Sequence, residues 1–96
     1  MDAATAERLV ANEHRFREVN ERLEEGVRPL IEAGELVPFV CECSSVACRD
    51  SVELGLDEYR ALRATDARFA VVDGHELPAI ERVVQRQDRY LVVEKL

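Results

Sequence analysis

Apolar residues recur at intervals of seven near the start of the chain, in a stretch without glycine or proline. The residues that share this spacing are Leu9, Phe16, Leu23 and Leu30, with Val19 between them. Such a stripe predicts an amphipathic helix over about 4–25. Gly26 suits the left-handed closing position of that helix. Pro29 would strike the carbonyl of Glu25 in a continuing helix, so only a short helical turn is expected over about 28–33.

The ends of this segment carry capping and stop signals. Asp2 or Thr5 can accept the first free N–H groups of the helix. Gly34 and Pro38 are expected to end the helical segment. A helix of about 22 residues is ~33 Å long, whereas the remaining ~62 residues should form a globule ~27 Å across. Part of the helix is therefore expected to protrude.

The apolar stripe has two interpretations. The simpler one is that the stripe packs on a sheet formed by the rest of the chain. The alternative is a coiled-coil seam, whose d positions would fall on Asn12, Val19 and Gly26 and would be poor for a self-sufficient coil. A homodimer or a protein partner at the protruding end therefore stays open. The run of Glu21, Glu24 and Glu25 is expected to be a solvated face.

The remainder of the chain alternates short β-rich runs with turn residues. Val-Val and Tyr-Leu-Val-Val flank the polar pair Gln87-Asp88 and predict a closing hairpin, because β-branched residues dominate both arms. A helix opened by Pro78 is the alternative for this last segment. The other predicted elements are strands over 39–43 and 51–54, a helix over 56–63, and a strand over 68–72 stopped by Asp73-Gly74.

These elements predict an α+β fold in which a long N-terminal helix packs on a small, mainly antiparallel β unit with one short helix and a zinc-binding loop. Ninety-six residues are too few for two independent cores, and no repeat or polar linker divides them. We expect one domain over 1–96. It would consist of a helical segment over 1–34 and a β-rich zinc-binding unit over 35–96.

Composition and charge narrow the classes of function. Apolar residues make up 47% of the chain, and thirteen Lys and Arg against twenty Asp and Glu give a net charge of −7. Such a chain is not expected to bind nucleic acid or an anionic membrane through charge. No apolar run approaches the ~18 to 20 residues of a membrane span, and the N-terminus lacks the pattern of a secretory signal. We therefore expect a cytoplasmic location.

Three cysteines and one late histidine form the one constellation with specific chemistry. Cys41, Cys43 and Cys48 have the spacing C-x-C-x4-C, and His75 follows twenty-seven residues later. An odd number of cysteines in a reducing compartment favours a metal or a reactive thiol over disulfides. Three thiolates and an imidazole are a ligand set for tetrahedral zinc. Cys41 and Cys43 would converge as i and i+2 of a strand, and Gly74 would permit the turn that presents His75.

Energetics supply a reason for a structural ion. The chain has five aromatic residues and no Trp, so its core is small. Domains of this size are stable by only ~5–15 kcal/mol, and apparent zinc binding of roughly 10–16 kcal/mol is comparable. The sequence therefore predicts structural Zn²⁺ held by Cys41, Cys43, Cys48 and His75.

Other interpretations of these residues stay open. The thiols could be buried as inert apolar groups or act as a redox switch, and His75 could be an exposed loop residue. A hydrolase would need an open coordination position, with Glu76 as its base. His14, the other histidine, is expected to be solvated and remote from the cysteines. No catalytic residue is predicted, since four protein ligands leave no site for activated water and the zinc deaminase signature is absent.

Several short strings carry a family resemblance. They are Ala11-Asn12-Glu13, Phe16-Arg17, Val19-Asn20-Glu21-Arg22, Phe39-Val40-Cys41-Glu42-Cys43 with Cys48, Glu58-Tyr59, Arg63, Phe69, Gly74-His75-Glu76, Glu81-Arg82-Val83-Val84, Tyr90 and Val92-Val93-Glu94-Lys95. Along nearly the whole chain, they resemble a family of small uncharacterised actinobacterial proteins. Ser44-Ser45 replaces a Gly-Asp-like turn expected in that family. The resemblance implies a bacterial cytoplasmic setting and no particular activity.

The sequence thus favours a small zinc-stabilised protein-interaction or regulatory module without catalytic activity. A thiol-based redox or zinc sensor is the first alternative, and it requires exposed, low-pKa thiolates. A small metal-dependent hydrolase is the second alternative.

Overall fold

The computed structural model describes residues 2–96 and has the predicted α+β architecture. Its elements in chain order are α1 (Ala3–Val27), a 3₁₀ turn (Arg28–Leu30), β1 (Leu36–Val40), β2 (Ser51–Gly55), α2 (Leu56–Arg63), β3 (Arg68–Val71), β4 (Glu81–Arg86) and β5 (Leu91–Lys95). The molecule measures 44 × 23 × 23 Å. Within residues 2–96, no helix is both long enough and apolar enough to cross a membrane.

Two antiparallel sheets share the β unit. β1 pairs with β2, while β3, β5 and β4 form a second sheet in that order. The predicted closing hairpin is confirmed as β4–β5, with a β-bulge between Val83 and Gln85. Phe39 stacks on Tyr59 at 4.3 Å in one apolar cluster, and Phe69 lies with two of the cysteines in another. The cluster around Phe39 also includes Ala70 and Val92, so it joins the two sheets.

The start of α1 is as predicted and its end is not. Oδ1 of Asp2 accepts the N–H of Thr5 at 2.8 Å, which confirms the N-cap. The closing role of Gly26 is wrong, because α1 continues through it to Val27 and the N–H of Arg28 bonds to Glu24 O. Pro29 lies in the 3₁₀ turn that follows, where its missing N–H costs little.

β1 begins and ends about three residues earlier than predicted. It spans Leu36–Val40, so Pro38 lies inside the strand and the expectation that it ends the preceding segment is wrong. Proline is tolerated here because, among residues 2–96, β2 is the one strand that pairs with β1. Gly34, at φ 88°, makes the turn before the strand. Cys41 and Cys43 consequently follow β1 instead of belonging to it.

α1 docks on the β unit through a face that mixes polar and apolar residues, which partly corrects the apolar-stripe prediction. The fully buried residues of α1 are Glu13 and Asn20. Leu23 packs on the core, but Val19 is 48% exposed and Leu30 is 79% exposed. The apolar repeat predicted part of this face and missed its two buried polar residues.

Asn20 contacts the last residue of β1. Its Oδ1 accepts the N–H of Val40 at 2.8 Å, and its Nδ2 donates to the carbonyl of Val40 at 2.8 Å. The side-chain amide thus pairs with β1 as a neighbouring strand would, on the side away from β2. Nδ2 also donates to Oε2 of Glu42 at 2.9 Å. Asn20 therefore fixes the end of β1 from which the cysteine segment starts.

His14 lies against the second sheet, contrary to the expectation that it is solvated. Its ring meets the edge of Phe69 at 5.5 Å, and its Nε2 is 3.2 Å from Nζ of Lys95. Burial, followed by the nearby charges of Arg17 and Lys95, lowers the pKa of His14. A neutral imidazole can accept a hydrogen bond from the lysine ammonium, so the contact is favourable.

Glu13 and Glu81 form a buried acid pair between α1 and β4. Glu13 is inaccessible to solvent and Glu81 is 3% exposed. Among residues 2–96, neither carboxylate oxygen of Glu13 meets an N–H or O–H donor. Burial and the neighbouring Glu81 carboxyl raise the pKa of Glu13 to about 10. Two buried carboxyl groups repel each other if both are ionised, so this neighbour favours the protonated form of Glu13.

Replacing Glu13 by Gln is expected to stabilise the protein above neutral pH. An acid whose pKa rises on folding retains a proton that the unfolded chain releases. The free energy of unfolding should therefore fall as pH rises above about 4.5, the ordinary pKa of the side chain. Glu13→Gln supplies a neutral donor to Glu81, so at pH 8 it should gain roughly 1–3 kcal/mol. Urea denaturation from pH 5 to 9 measures the difference.

Glu7→Gln is the matched control, because Glu7 is an exposed residue on the same helix. The pH profile of this control should parallel that of the wild type. Parallel profiles for Glu13→Gln and wild type would contradict a raised pKa of Glu13.

Candidate metal centre

The segment after β1 crosses from one sheet to the other and carries two of the cysteines. The N–H of Cys41 still bonds to the carbonyl of Asp50 at 3.0 Å, next to β2. The N–H of Glu42 bonds to the carbonyl of Ala70 in β3 at 2.8 Å, and Oε1 of Glu42 accepts the N–H of Ala70 at 2.9 Å. One residue thus pairs with β3 through both its backbone and its side chain. This crossing holds Cys41 and Cys43 in place without a regular strand.

The loop over 44–47 returns the chain to bring Cys48 beside them. The N–H of Cys48 bonds to the carbonyl of Ser45 at 3.2 Å. From α1, Nδ2 of Asn12 donates to the carbonyl of Ser44 at 2.9 Å. Arg49 donates to the carbonyls of Val46 and Cys48, both at 3.0 Å. The loop is therefore tied both to itself and to the helix.

A glycine turn presents His75 to the thiols, as predicted. The N–H of His75 bonds to the carbonyl of Val72 at 2.8 Å across Asp73 and Gly74. Gly74 has φ 96°, which glycine adopts far more readily than other residues. The turn follows β3 directly, so His75 comes close to the segment that pairs with that strand.

The structure brings the four predicted residues together. The ligand atoms of Cys41, Cys43, Cys48 and His75 all lie within 4.8 Å of one another. Nδ1 of His75 is 3.5 Å from Sγ of Cys41 and 3.6 Å from Sγ of Cys48. A tetrahedral ion with bonds of about 2.1 Å to nitrogen and 2.3 Å to sulfur separates such atoms by about 3.6 Å. The observed spacing therefore fits one metal ion with four protein ligands.

The second nitrogen of the imidazole faces a carboxylate. Nε2 of His75 is 3.4 Å from Oδ2 of Asp50, while Nδ1 faces the sulfurs. A metal-bound histidine commonly donates its other N–H to a carboxylate, which fixes the tautomer and strengthens the ligand. Asp50 thus stands where it can orient His75 for a metal.

The three thiols have unequal affinities for protons. Hydrogen bonds from the Cys41 thiol, the Ser45 N–H and the His75 side chain lower the pKa of Cys43. The same contact with Cys43, together with burial, raises the pKa of Cys41. Burial also raises the pKa of Cys48. One thiolate therefore stands ready for a cation, and binding of the cation would displace protons from the other two thiols.

Solvent reaches this cluster from one side. Cys41 and Cys43 are 1% and 2% exposed, whereas Cys48 and His75 are half-buried. A cleft of about 520 Å³ opens beside Cys43, Cys48 and His75. An ion could enter and leave through this cleft, between the two ligands nearest the surface.

The structure also places the remaining sequence candidates. Oε1 of Glu76 accepts the N–H of Gly74 at 2.7 Å, so its carboxylate braces the turn. His14 lies outside the cluster. Reasoning from the sequence did not single out Asn20, Glu42 or Asp50 as supporting residues. The sequence did contain a signal for Glu42. It lies between two cysteines that were expected to be buried, and a buried carboxylate requires hydrogen-bond or charge partners.

Removal of the Asp50 carboxylate is expected to weaken metal binding without abolishing it. Loss of a carboxylate that orients a histidine ligand typically lowers metal affinity by about 10–100-fold. We expect Asp50→Ala to lower the metal affinity by about tenfold, the lower end of this range, because the Asp50 side chain is 62% exposed. Competition with a chromophoric chelator measures the affinity. Asp88→Ala, in the exposed β4–β5 turn, is the control and should bind as the wild type does. Equal affinities for Asp50→Ala and wild type would exclude this orienting role.

Comparison with known proteins gives no match to a protein-family model, to a curated protein or to a solved structure. The functional conclusion therefore depends on the geometry of the site itself.

Proposed function

We propose that the protein is a small zinc-stabilised protein-interaction or regulatory module without catalytic activity. The observation that carries this proposal is the fit between the Cys41, Cys43, Cys48 and His75 ligand atoms and one tetrahedral ion. The cluster joins the segment after β1 to the turn after β3, so an ion there links two places that are far apart in the sequence.

The donor set favours zinc. Three thiolates are soft ligands and the imidazole is borderline, a combination that suits Zn²⁺ better than Mg²⁺ or Ca²⁺. Four protein ligands complete a tetrahedral sphere and leave no position for an activated water, which favours a structural ion. The carboxylate of Glu76 is engaged by Gly74, which makes it a poor candidate for a general base.

An interaction role is supported by α1 and the loop beside it. The first turns of α1 are largely exposed, and Val46 on the metal loop is 59% exposed. Scattered apolar residues at a surface are ordinary, but these lie on a helix and on a loop whose shape the ion would set. A surface fixed by a metal can serve as a binding face for another protein.

Metal analysis tests the proposal. Protein purified from zinc-supplemented cells is expected to contain one equivalent of zinc, and Cys43→Ser and His75→Ala should each lose it. His14→Ala is the matched control, because His14 is the other histidine and lies outside the cluster. It should retain the metal.

Cobalt substitution provides a second readout, since a Cys3His site gives strong thiolate-to-cobalt absorption with tetrahedral ligand-field bands. Wild-type protein that folds cooperatively without any metal would contradict the proposal. Full metal content in His75→Ala would contradict the ligand set.

A thiol-based zinc sensor is the second candidate, favoured by the half-buried Cys48 beside the open cleft. Peroxide would oxidise two thiolates to a disulfide, taking up two electrons as its O–O bond breaks to give two waters, and the ion would leave. Zinc release on peroxide titration, reversed by a thiol reductant, would support this function. Retention of zinc in millimolar peroxide would exclude it.

The biological setting is also a proposal. We propose a cytoplasmic protein of the kind found in actinobacteria, on the resemblance noted for the Cys and Gly-His-Glu motifs. The negative net charge supports partners other than nucleic acid.

A further inference from the structure

A groove runs between the first half of α1 and the metal loop. It encloses about 450 Å³, and Leu9, Asn12 and Val46 contribute to its lining. Asn12 holds the loop to the helix through the carbonyl of Ser44, so the two walls have a fixed spacing. The groove lies next to the metal centre and shares with it the loop between Cys43 and Cys48.

The apolar part of the groove comes from both walls. Leu9 is half-buried on α1, and Val46 is 59% exposed at the tip of the loop. Two tethers from Arg49 fix the backbone under Val46, at its own carbonyl and at that of Cys48. An exposed valine on a tethered loop costs little entropy when it is covered, which is a favourable property for a contact residue.

The rim of the groove is positive although the chain as a whole carries −7. Arg8 and Arg15 line it, are exposed, and form no ion pair with any residue in the part of the chain that the structure describes. In the same helix Arg17 pairs with Glu21, and Arg28 pairs with Glu24 just beyond the helix end. Two cations are thus left free beside an apolar surface.

The spacing of the two arginines specifies a ligand geometry. Seven residues of helix separate Arg8 and Arg15 by about 10.5 Å along the axis. An extended peptide rises about 3.3 Å per residue and its side chains alternate between two faces, so residues i and i+4 face the same side about 13 Å apart. Two long arginine side chains can span the difference from about 10.5 Å. A side chain between them would lie over Leu9 and Val46.

We propose that this groove binds an extended segment of a partner protein with carboxylates at positions i and i+4 and an aliphatic residue at i+2, all three on the same face of the segment. The carboxylates pair with Arg8 and Arg15, and the aliphatic side chain covers Leu9 and Val46. This inference rests on the proposed function, because the ion holds the ends of the loop that carries Val46. Peptide affinity is therefore coupled to metal occupancy.

Fluorescence anisotropy tests this inference on the full chain with bound metal. The probe is a fluorescein-labelled peptide with glutamates at i and i+4 and a leucine at i+2. A peptide of the same composition with adjacent glutamates is the matched control probe. We expect saturable binding of the first peptide, at least about tenfold weaker in Arg8→Glu/Arg15→Glu and in 0.5 M salt.

Arg22→Glu is the control variant, since Arg22 is an exposed arginine of the same helix outside the groove. It should bind the probe as the wild type does, and Val46→Asp should bind it more weakly. Equal affinities for the two peptides, or for wild type and the double variant, would overturn the inference. A dimer that dissociates in Val46→Asp would assign the groove to a second copy and would overturn it as well.

Zinc content and thermal stability of every variant separate this inference from the proposed function. Variants of Arg8, Arg15 and Val46 should retain zinc and melt near the wild-type temperature. If a variant loses peptide binding but keeps its full zinc content, the loss is due to the groove and not to the metal site. If the wild type contains no zinc, the proposed function is contradicted.

Discussion

Chelation of the metal is expected to unfold the β unit of this protein. The ion would join the segment after β1 to the turn after β3, two places that are far apart in the sequence. Apparent zinc binding of roughly 10–16 kcal/mol equals or exceeds the ~5–15 kcal/mol by which small domains are stable. The metal-free chain should therefore lose its cooperative fold.

Circular dichroism and heat capacity measure this loss. On addition of a strong chelator, the near-ultraviolet signal of the two tyrosines should disappear, because Tyr59 and Tyr90 are both buried. Added zinc should restore it. Part of the helical signal of α1 is expected to remain, since helix 3–27 can form some turns alone. A metal-free protein that still melts in one sharp transition would contradict this prediction.

Glu42→Ala is expected to destabilise the fold by about 3–5 kcal/mol, because it breaks a buried charge pair. Glu42 is inaccessible to solvent. Its carboxylate accepts hydrogen bonds from Asn20 at 2.9 Å and from the Tyr59 hydroxyl at 2.9 Å, besides the N–H of Ala70. Its removal would leave these donors buried without an acceptor.

The charge of Glu42 also has a buried partner. Nη2 of Arg63 lies 3.5 Å from Oε1 of Glu42. The Arg63 side chain is only 13% exposed. Burial raises the pKa of Glu42, and the attraction of Arg63 and the hydrogen bond from Asn20 oppose that rise. Without the Glu42 carboxylate, the guanidinium of Arg63 would be a buried charge that lacks its partner, which is costly.

A double-mutant cycle with Arg63→Leu tests this explanation by urea denaturation at pH 7. The double variant Glu42→Ala/Arg63→Leu should be more stable than the sum of the two single losses implies. Glu53→Ala is the control, because Glu53 is exposed on β2, and its effect should stay within about 0.5 kcal/mol. Additive losses in the cycle would exclude the charge-pair explanation.

Local patterns were sufficient to predict most of the elements. Helix 56–63 has acids in its first turn and arginines in its last, and its bounds are confirmed. The hairpin at the end of the chain is confirmed because β-branched residues fill both arms. The sequence placed the start of β1 after Pro38, because proline commonly ends a regular element. A strand that pairs with one other strand can contain proline.

The docking of α1 could be predicted only in part from hydrophobicity. The stripe of leucines contributes Leu23 to the docking face, but the fully buried residues of α1 are Glu13 and Asn20. Their burial depends on partners far away in the sequence, Glu81 for one and Val40 for the other. Periodicity measures where apolar side chains repeat, and it contains no information about which backbone groups a sheet leaves free.

The four-residue cluster could be predicted because its chemistry is scarce in the chain. Three cysteines and one loop histidine leave few combinations, and the structure brings that set within 4.8 Å. The geometric reason was partly wrong, since Cys41 and Cys43 follow β1 instead of sharing a strand face. Asp50 escaped prediction because an aspartate beside a strand is common and its pairing with His75 is visible only in three dimensions.

The amide of Asn20 has a consequence for the protein in a crowded cell. It occupies the hydrogen-bonding groups of Val40 that would otherwise face outward. Without α1, these groups would lie at an open strand edge, the kind of site at which another chain can add a strand. One side chain thus covers an edge that would otherwise favour aggregation.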